Sequence, residues 1–121
     1  MKNKLLFWIP TGLLAALVFV SGVANITRQP HVMVVAEHLG YPPYIATILG
    51  VAKLLAVLAL VSAWRWPRLS EWAFAGLVFD FLGAFVSHLA MSDPVAQTAP
   101  SAVLLVLTVV AYRARPSLSP A

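Results

Sequence analysis

Four apolar runs constrain this chain more than any other feature: Leu5 to Ala24, Tyr44 to Trp64, Trp72 to Met91, and about Pro100 to Tyr112. A helix needs roughly 20 residues, at about 1.5 Å rise each, to cross about 30 Å of hydrocarbon. The first three runs have that length. The fourth reaches it by taking in residues 96–99 and Arg113, whose long side chain can snorkel to the headgroups. The expected fold class is therefore all-α, a four-transmembrane-helix bundle with spans at about 5–24, 44–64, 72–91 and 96–113. With 61% hydrophobic and 10% charged residues in a length of 121, the chain reads as one integral membrane domain with the lipid bilayer as its main partner.

The formal charge of +4 is a topology signal and not a nucleic-acid surface. Lys2 and Lys4 precede the first span, Arg28 follows it, Arg65 and Arg68 separate the second from the third, and Arg113 and Arg115 end the fourth. Alternate compartments thus hold six basic residues against one, which places both termini in the cytoplasm. Trp8, Trp64, Trp66, Trp72, Tyr44 and Tyr112 fall near span ends, where amphipathic rings sit at the interface. Cysteine is absent, which excludes thiolate nucleophiles, thiolate-ligated metals and CxxCH haem attachment.

Ser21-Gly22-Val23-Ala24 would pass as a signal-cleavage site, but the apolar run before it is long and carries Pro10 and Gly12, so a retained helix is expected. The outer loop 25–43 is the one long connection. Within it Val32, Val35, Ala36 and Leu39 recur at helical spacing beside Glu37 and His38, and Gly40 with Pro42-Pro43 stops the helix. A short amphipathic outer helix between the first and second spans is expected, with Arg115 to Ala121 as a frayed tail.

Lys53 and Asp80 lie near the middle of their spans, where a charge is costly unless paired, and such residues mark functional sites by default. Lys53 is nine residues from the outer end of the second span and Asp80 eight from the inner end of the third, which sets their levels about 4 Å apart. A Lys53–Asp80 ion pair is predicted. On the third span Gly76, Asp80, Gly83, Ala84, Ser87 and His88 share one face, leaving Val78, Phe81, Leu82, Phe85 and Leu89 around the rest. Small residues admit close helix approach, so this face is expected to turn into the bundle against Ala46, Gly50, Lys53 and Ala56 of the second span. The candidate polar site is Lys53, Asp80, His88 and Glu37, with His38, Tyr41, Tyr44, Glu71 and Ser87 as secondary candidates. No tight spacing such as HxxxH is present, and no two histidines sit on facing spans, so neither a metal nor a haem site is expected.

Taken together, His38-Leu39-Gly40-Tyr41-Pro42-Pro43-Tyr44, Leu49-Gly50-Val51-Ala52-Lys53-Leu54-Leu55 and Glu71-Trp72-Ala73-Phe74-Ala75-Gly76, with Asp80, Gly83 and Ser87-His88, resemble the DoxX-like family of small four-helix bacterial membrane proteins. The likeness runs from about Trp8 to Asp93. It departs from the family pattern at Phe74, where a tyrosine is usual, at Ala56, where glycine often follows KLL, and at Ser92, where a glycine-aspartate turn is usual. The resemblance implies a bacterial inner-membrane location and, through the wider DoxX group, a link to quinone-dependent redox complexes.

Two functions fit these residues. One is a quinone- or small-ligand-binding membrane subunit of a redox system, with Lys53 and Asp80 holding a polar head group and His88 and Glu37 handling protons near the outer face. The other is a non-catalytic scaffold or assembly factor, docking a membrane protein partner or a second copy, with the pair as a structural staple. A cavity reaching Lys53 from outside favours the first, and a dry, packed pair the second. Conduction would need a continuous polar path, which the inner half of the sequence lacks.

Overall fold

A computed structural model describes residues 2–115, with side chains from Leu5 onward. Residues 116–121 of the expected tail lie outside the described residues. The chain is all-α: α1 (Lys2–Ile26), α2 (Pro30–His38), α3 (Tyr44–Val61), α4 (Pro67–Ala90) and α5 (Val95–Arg113). Helices α1, α3, α4 and α5 are each long and apolar enough to span a membrane, and α2 is the short helix between the first two. The protein is a multi-pass membrane protein.

The spans close into a ring in which α1 packs on α3, α3 on α4, α4 on α5 and α5 on α1, with α2 resting on α3. Connections of a few residues between α3 and α4 and between α4 and α5 make these neighbours antiparallel. The start of α1 and the end of α5 therefore lie at one end of the bundle, the terminal end. Helix α2 and the α4–α5 turn lie at the other, the α2 end.

Helices α1, α2 and α4 all finish at the α2 end, and all finish alike. Gln29 N–H donates to Ala24 C=O at 3.1 Å, Tyr41 N–H to Ala36 C=O at 2.9 Å, and Asp93 N–H to His88 C=O at 3.0 Å. Each such bond spans a residue of positive φ: Arg28 at 52°, Gly40 at 84° and Ser92 at 56°. This is the left-handed turn that satisfies the orphan carbonyls of a helix end. Gly40 adopts it without penalty, while Arg28 and Ser92 hold it against roughly 1 kcal/mol of Cβ crowding each. Ser92 thus occupies a conformation that favours glycine.

The apolar core fills the terminal half. Phe7, Leu14 and Val18 of α1, Leu60 of α3, and Phe74, Leu77 and Phe81 of α4 are all buried. The Phe74 ring stands edge-on to Phe7 and Tyr112, with centroids 6.3 and 5.6 Å away. An apolar ring at this position leaves no hydroxyl to satisfy. The buried hydroxyls of Ser70 and Thr108 donate to carbonyls of their own helices, Pro67 and Leu104, each at 2.7 Å. Thr11 is buried with no hydrogen-bond partner for its hydroxyl among the described residues.

The expected role of the α4 glycines is corrected here. A Cβ added at Gly76 or Gly83 would meet nothing within 4 Å, and both glycines are exposed. The core-facing side of α4 is instead Ala73, Phe74, Leu77 and Phe81. Nor does Gly50 bring α3 against α4. A Cβ on Gly50 would lie 2.9 Å from Gly22 O and Ile26 N, and one on Gly22 would lie 3.1 Å from Lys53 Cβ. Glycine is thus required where α3 crosses α1 backbone to backbone, while on α4 it leaves open space.

Candidate functional site

Lys53 leaves α3 beside this crossing and reaches α1 first. Its Nζ donates to Ser21 Oγ at 2.8 Å and to Asn25 Oδ1 at 3.0 Å, and stands 4.0 Å from Asp80 Oδ2 across the gap to α4. The predicted partner is therefore present at the outer limit of an ion pair, and the short bonds go to Ser21 and Asn25, which are not among the expected site residues. Ser21 and Asn25 are four residues apart on an otherwise apolar span, a spacing that puts both on one helix face. That spacing was the available signal.

Lys53 and Asp80 retain 12% and 20% side-chain exposure, and both line a cavity of about 720 Å³ that extends from them toward the α2 end. Its wall includes Ser21 and Asn25 of α1, His31 of α2, Tyr41 of the following loop, and Gly83 and His88 of α4. The volume lies in the range of small-molecule sites, with mostly apolar walls and a few convergent polar groups. Lys53 has a third N–H beyond those given to Ser21 and Asn25, and Asp80 accepts no hydrogen bond from the described residues. A head group could engage both.

At the mouth, Asp93 ties three elements together. His38 Nε2 of α2 lies 2.6 Å from Asp93 Oδ1, and His88 Nδ1 of α4 lies 2.7 Å from Oδ2. The turn that ends α4 folds Asp93 back over His88, so one residue takes both the backbone and the imidazole bond. An ionised carboxylate only accepts, so both rings donate, and a neutral His88 keeps Nε2 as an acceptor. Tyr41 OH and Ser87 Oγ are hydrogen-bonded at 2.6 Å alongside.

Other candidates are placed elsewhere. Glu37 is exposed on α2 and does not line the cavity, so Asp93, not Glu37, supplies the acidic group beside His88. Tyr44 is 60% exposed at the start of α3. Glu71 belongs to the terminal end, where Arg115 Nη2 and Tyr112 OH donate to its Oε2 at 3.3 and 3.4 Å. Among the described residues no cluster of three His, Asp or Glu is placed to hold a metal ion.

The hydrogen bonds from His88 and then His38 hold the Asp93 carboxyl below the usual carboxylate range, outweighing desolvation. A group with a depressed folded pKa contributes fully above its unfolded value, about 3.9 for Asp, and loses the contribution as pH falls through the lower folded value. The clasp is thus expected to hold through neutral and mildly acidic pH and to release below about pH 4. Asp93→Asn is expected to release it at neutral pH, seen as faster amide exchange in 30–38 with α3 unchanged. Unchanged protection of α2 would show that its contacts with α3 suffice.

The family model described as DoxX-like matches residues 9–111, a stretch that contains every residue of this cavity. The chain belongs to the DoxX-like family. No curated protein and no solved structure gives a significant match to this DoxX-like chain. Its Ser21–Lys53–Asn25 contact, its Asp80 and its Asp93 clasp are therefore read from its own geometry.

Proposed function

We propose that this DoxX-like protein binds the polar head group of a small membrane-soluble ligand at Lys53 and Asp80, as a subunit of a quinone-linked redox system. It would lie in the bacterial inner membrane with both termini cytoplasmic and the α2 end outside. The observation that carries the reading is the cavity that reaches the pair from the α2 end. A staple that only fixed helix register would be packed dry, and this one faces open volume with donor and acceptor capacity to spare.

A quinone head fits that capacity. Lys53 donates toward a carbonyl oxygen, Asp80 accepts from the hydroxyl of the reduced form, and His88, oriented by Asp93, stands at the wall as a proton acceptor. The quinone would supply two-electron carriage. The chain itself binds, orients and moves protons.

Native mass spectrometry of the gently extracted protein, with lipid and quinone identification, tests this. A stoichiometric small ligand is expected on the wild type and is expected to be lost from the Lys53→Met, Asp80→Asn double variant. An empty wild-type bundle beside a folded double variant would shift the assignment to a scaffold.

A further inference from the structure

A second volume, about 560 Å³, runs from the same pair toward the terminal end between α3 and α4. Leu49, Lys53, Phe79 and Asp80 line both volumes, so the pair borders each of them. Apart from the pair, the second volume is lined by apolar side chains and Gly76, and it ends at Leu69 and Trp72. From Asp80 to Leu69 is eleven residues of helix, about 16 Å. Its rim is exposed on the lipid-facing surface, with Leu55 at 61%, Trp72 at 80% and Phe79 at 74%.

Bulk lipid alone does not suit this groove. Lys53 lies nine residues, about 14 Å, below the start of α3, near the middle of the hydrocarbon layer. A phospholipid chain in the lower groove would leave two ionisable groups against hydrocarbon, because its own headgroup stays at the interface. The occupant that satisfies both the pair and the groove carries its polar head at mid-depth and an apolar chain pointing toward the terminal end.

We propose that the α3–α4 groove holds the hydrocarbon chain of a single-chain amphiphile, whose neutral head, both donating and accepting hydrogen bonds, sits at Lys53 and Asp80. The molecule reaches its site sideways from the bilayer between α3 and α4. This rests on the head-group site above and adds the chain, its direction and its route. Gly76 keeps the groove open: a leucine there has free space for its Cβ and projects into the volume a chain would fill.

The test uses the full chain in phosphatidylcholine nanodiscs and a long-chain fatty alcohol bearing a terminal diazirine. Photolabelling is expected to concentrate on the groove segments 55–59 and 69–77. It should be outcompeted by the unlabelled alcohol better than by the matching alkane, and fall several-fold in Gly76→Leu but little in Gly76→Ala. Exposed Leu13 and Val103, on the other spans, report ordinary lipid contact and should not change. Labelling spread evenly over the lipid-facing surface, or unmoved by Gly76→Leu, would overturn the proposal. If that happens while native mass spectrometry still finds a small ligand lost from the double variant, the head-group site stands without the groove. Groove labelling without preference for the alcohol would mean an ordinary lipid chain and would likewise overturn the proposal, leaving the head-group site to the mass-spectrometric test.

Discussion

Lys53→Met is expected to destabilise the bundle by about 3 kcal/mol, and Asp80→Asn by only about 1 kcal/mol. The asymmetry follows from the distances. Removing the ammonium leaves Ser21 and Asn25 without their donor and Asp80 without its counter-charge. Removing the Asp80 charge leaves Lys53 still donating at 2.8 and 3.0 Å to α1. Because Nζ and Oδ2 are 4.0 Å apart, the coupling between the two changes should be about 1 kcal/mol or less, so the double variant regains only part of the loss. Thermal or denaturant unfolding in detergent, run as a full cycle with Asn25→Ala added, measures every term. Equal costs for the two single changes would shift the weight from the α1 contacts to the ion pair.

The second large effect is expected at Gly50. Gly50→Ala puts a methyl 2.9 Å from the Gly22 carbonyl oxygen and the Ile26 nitrogen, and backbone atoms cannot swing aside as a side-chain end can. Helices α1 and α3 must separate, at a cost of about 2 kcal/mol from overpacking. Since Lys53 reaches Ser21 and Asn25 across this crossing, ligand occupancy should fall along with stability. Gly83→Ala, on the open face of α4, is the control: no atom lies within 4 Å of its Cβ, and helix propensity favours alanine. Unfolding midpoints of the two variants give the comparison. Comparable losses would mean that the close approach is not specific to α1 and α3.

The contrast between these glycines shows how far the sequence could be read. Apolar run length and the Gly40 stop signal located four spans and α2, because hydropathy and turn chemistry are local properties. Counting residues from the span ends put Lys53 and Asp80 at matching depth, because helix rise is constant. Pairing is not local. Small residues at helical spacing occur on both α3 and α4, and only the ring of neighbours decides that Gly50 meets α1 while Gly76 and Gly83 border open volume. Asp93 is not legible as a site residue because its role depends on the left-handed turn at Ser92, which returns it to His88. Glu37 carries the right chemistry on the wrong side of a short helix, a difference of helical phase that a nine-residue segment barely signals.

The buried apolar layer formed by Phe7, Leu14, Leu60 and Phe74 bears on how protons could move through the bundle. That layer holds no ionisable side chain among the described residues, and the buried hydroxyls of Ser70 and Thr108 beside it are turned back on their own helices. A proton held at Asp80 would find no ionisable acceptor within this layer along the bundle axis.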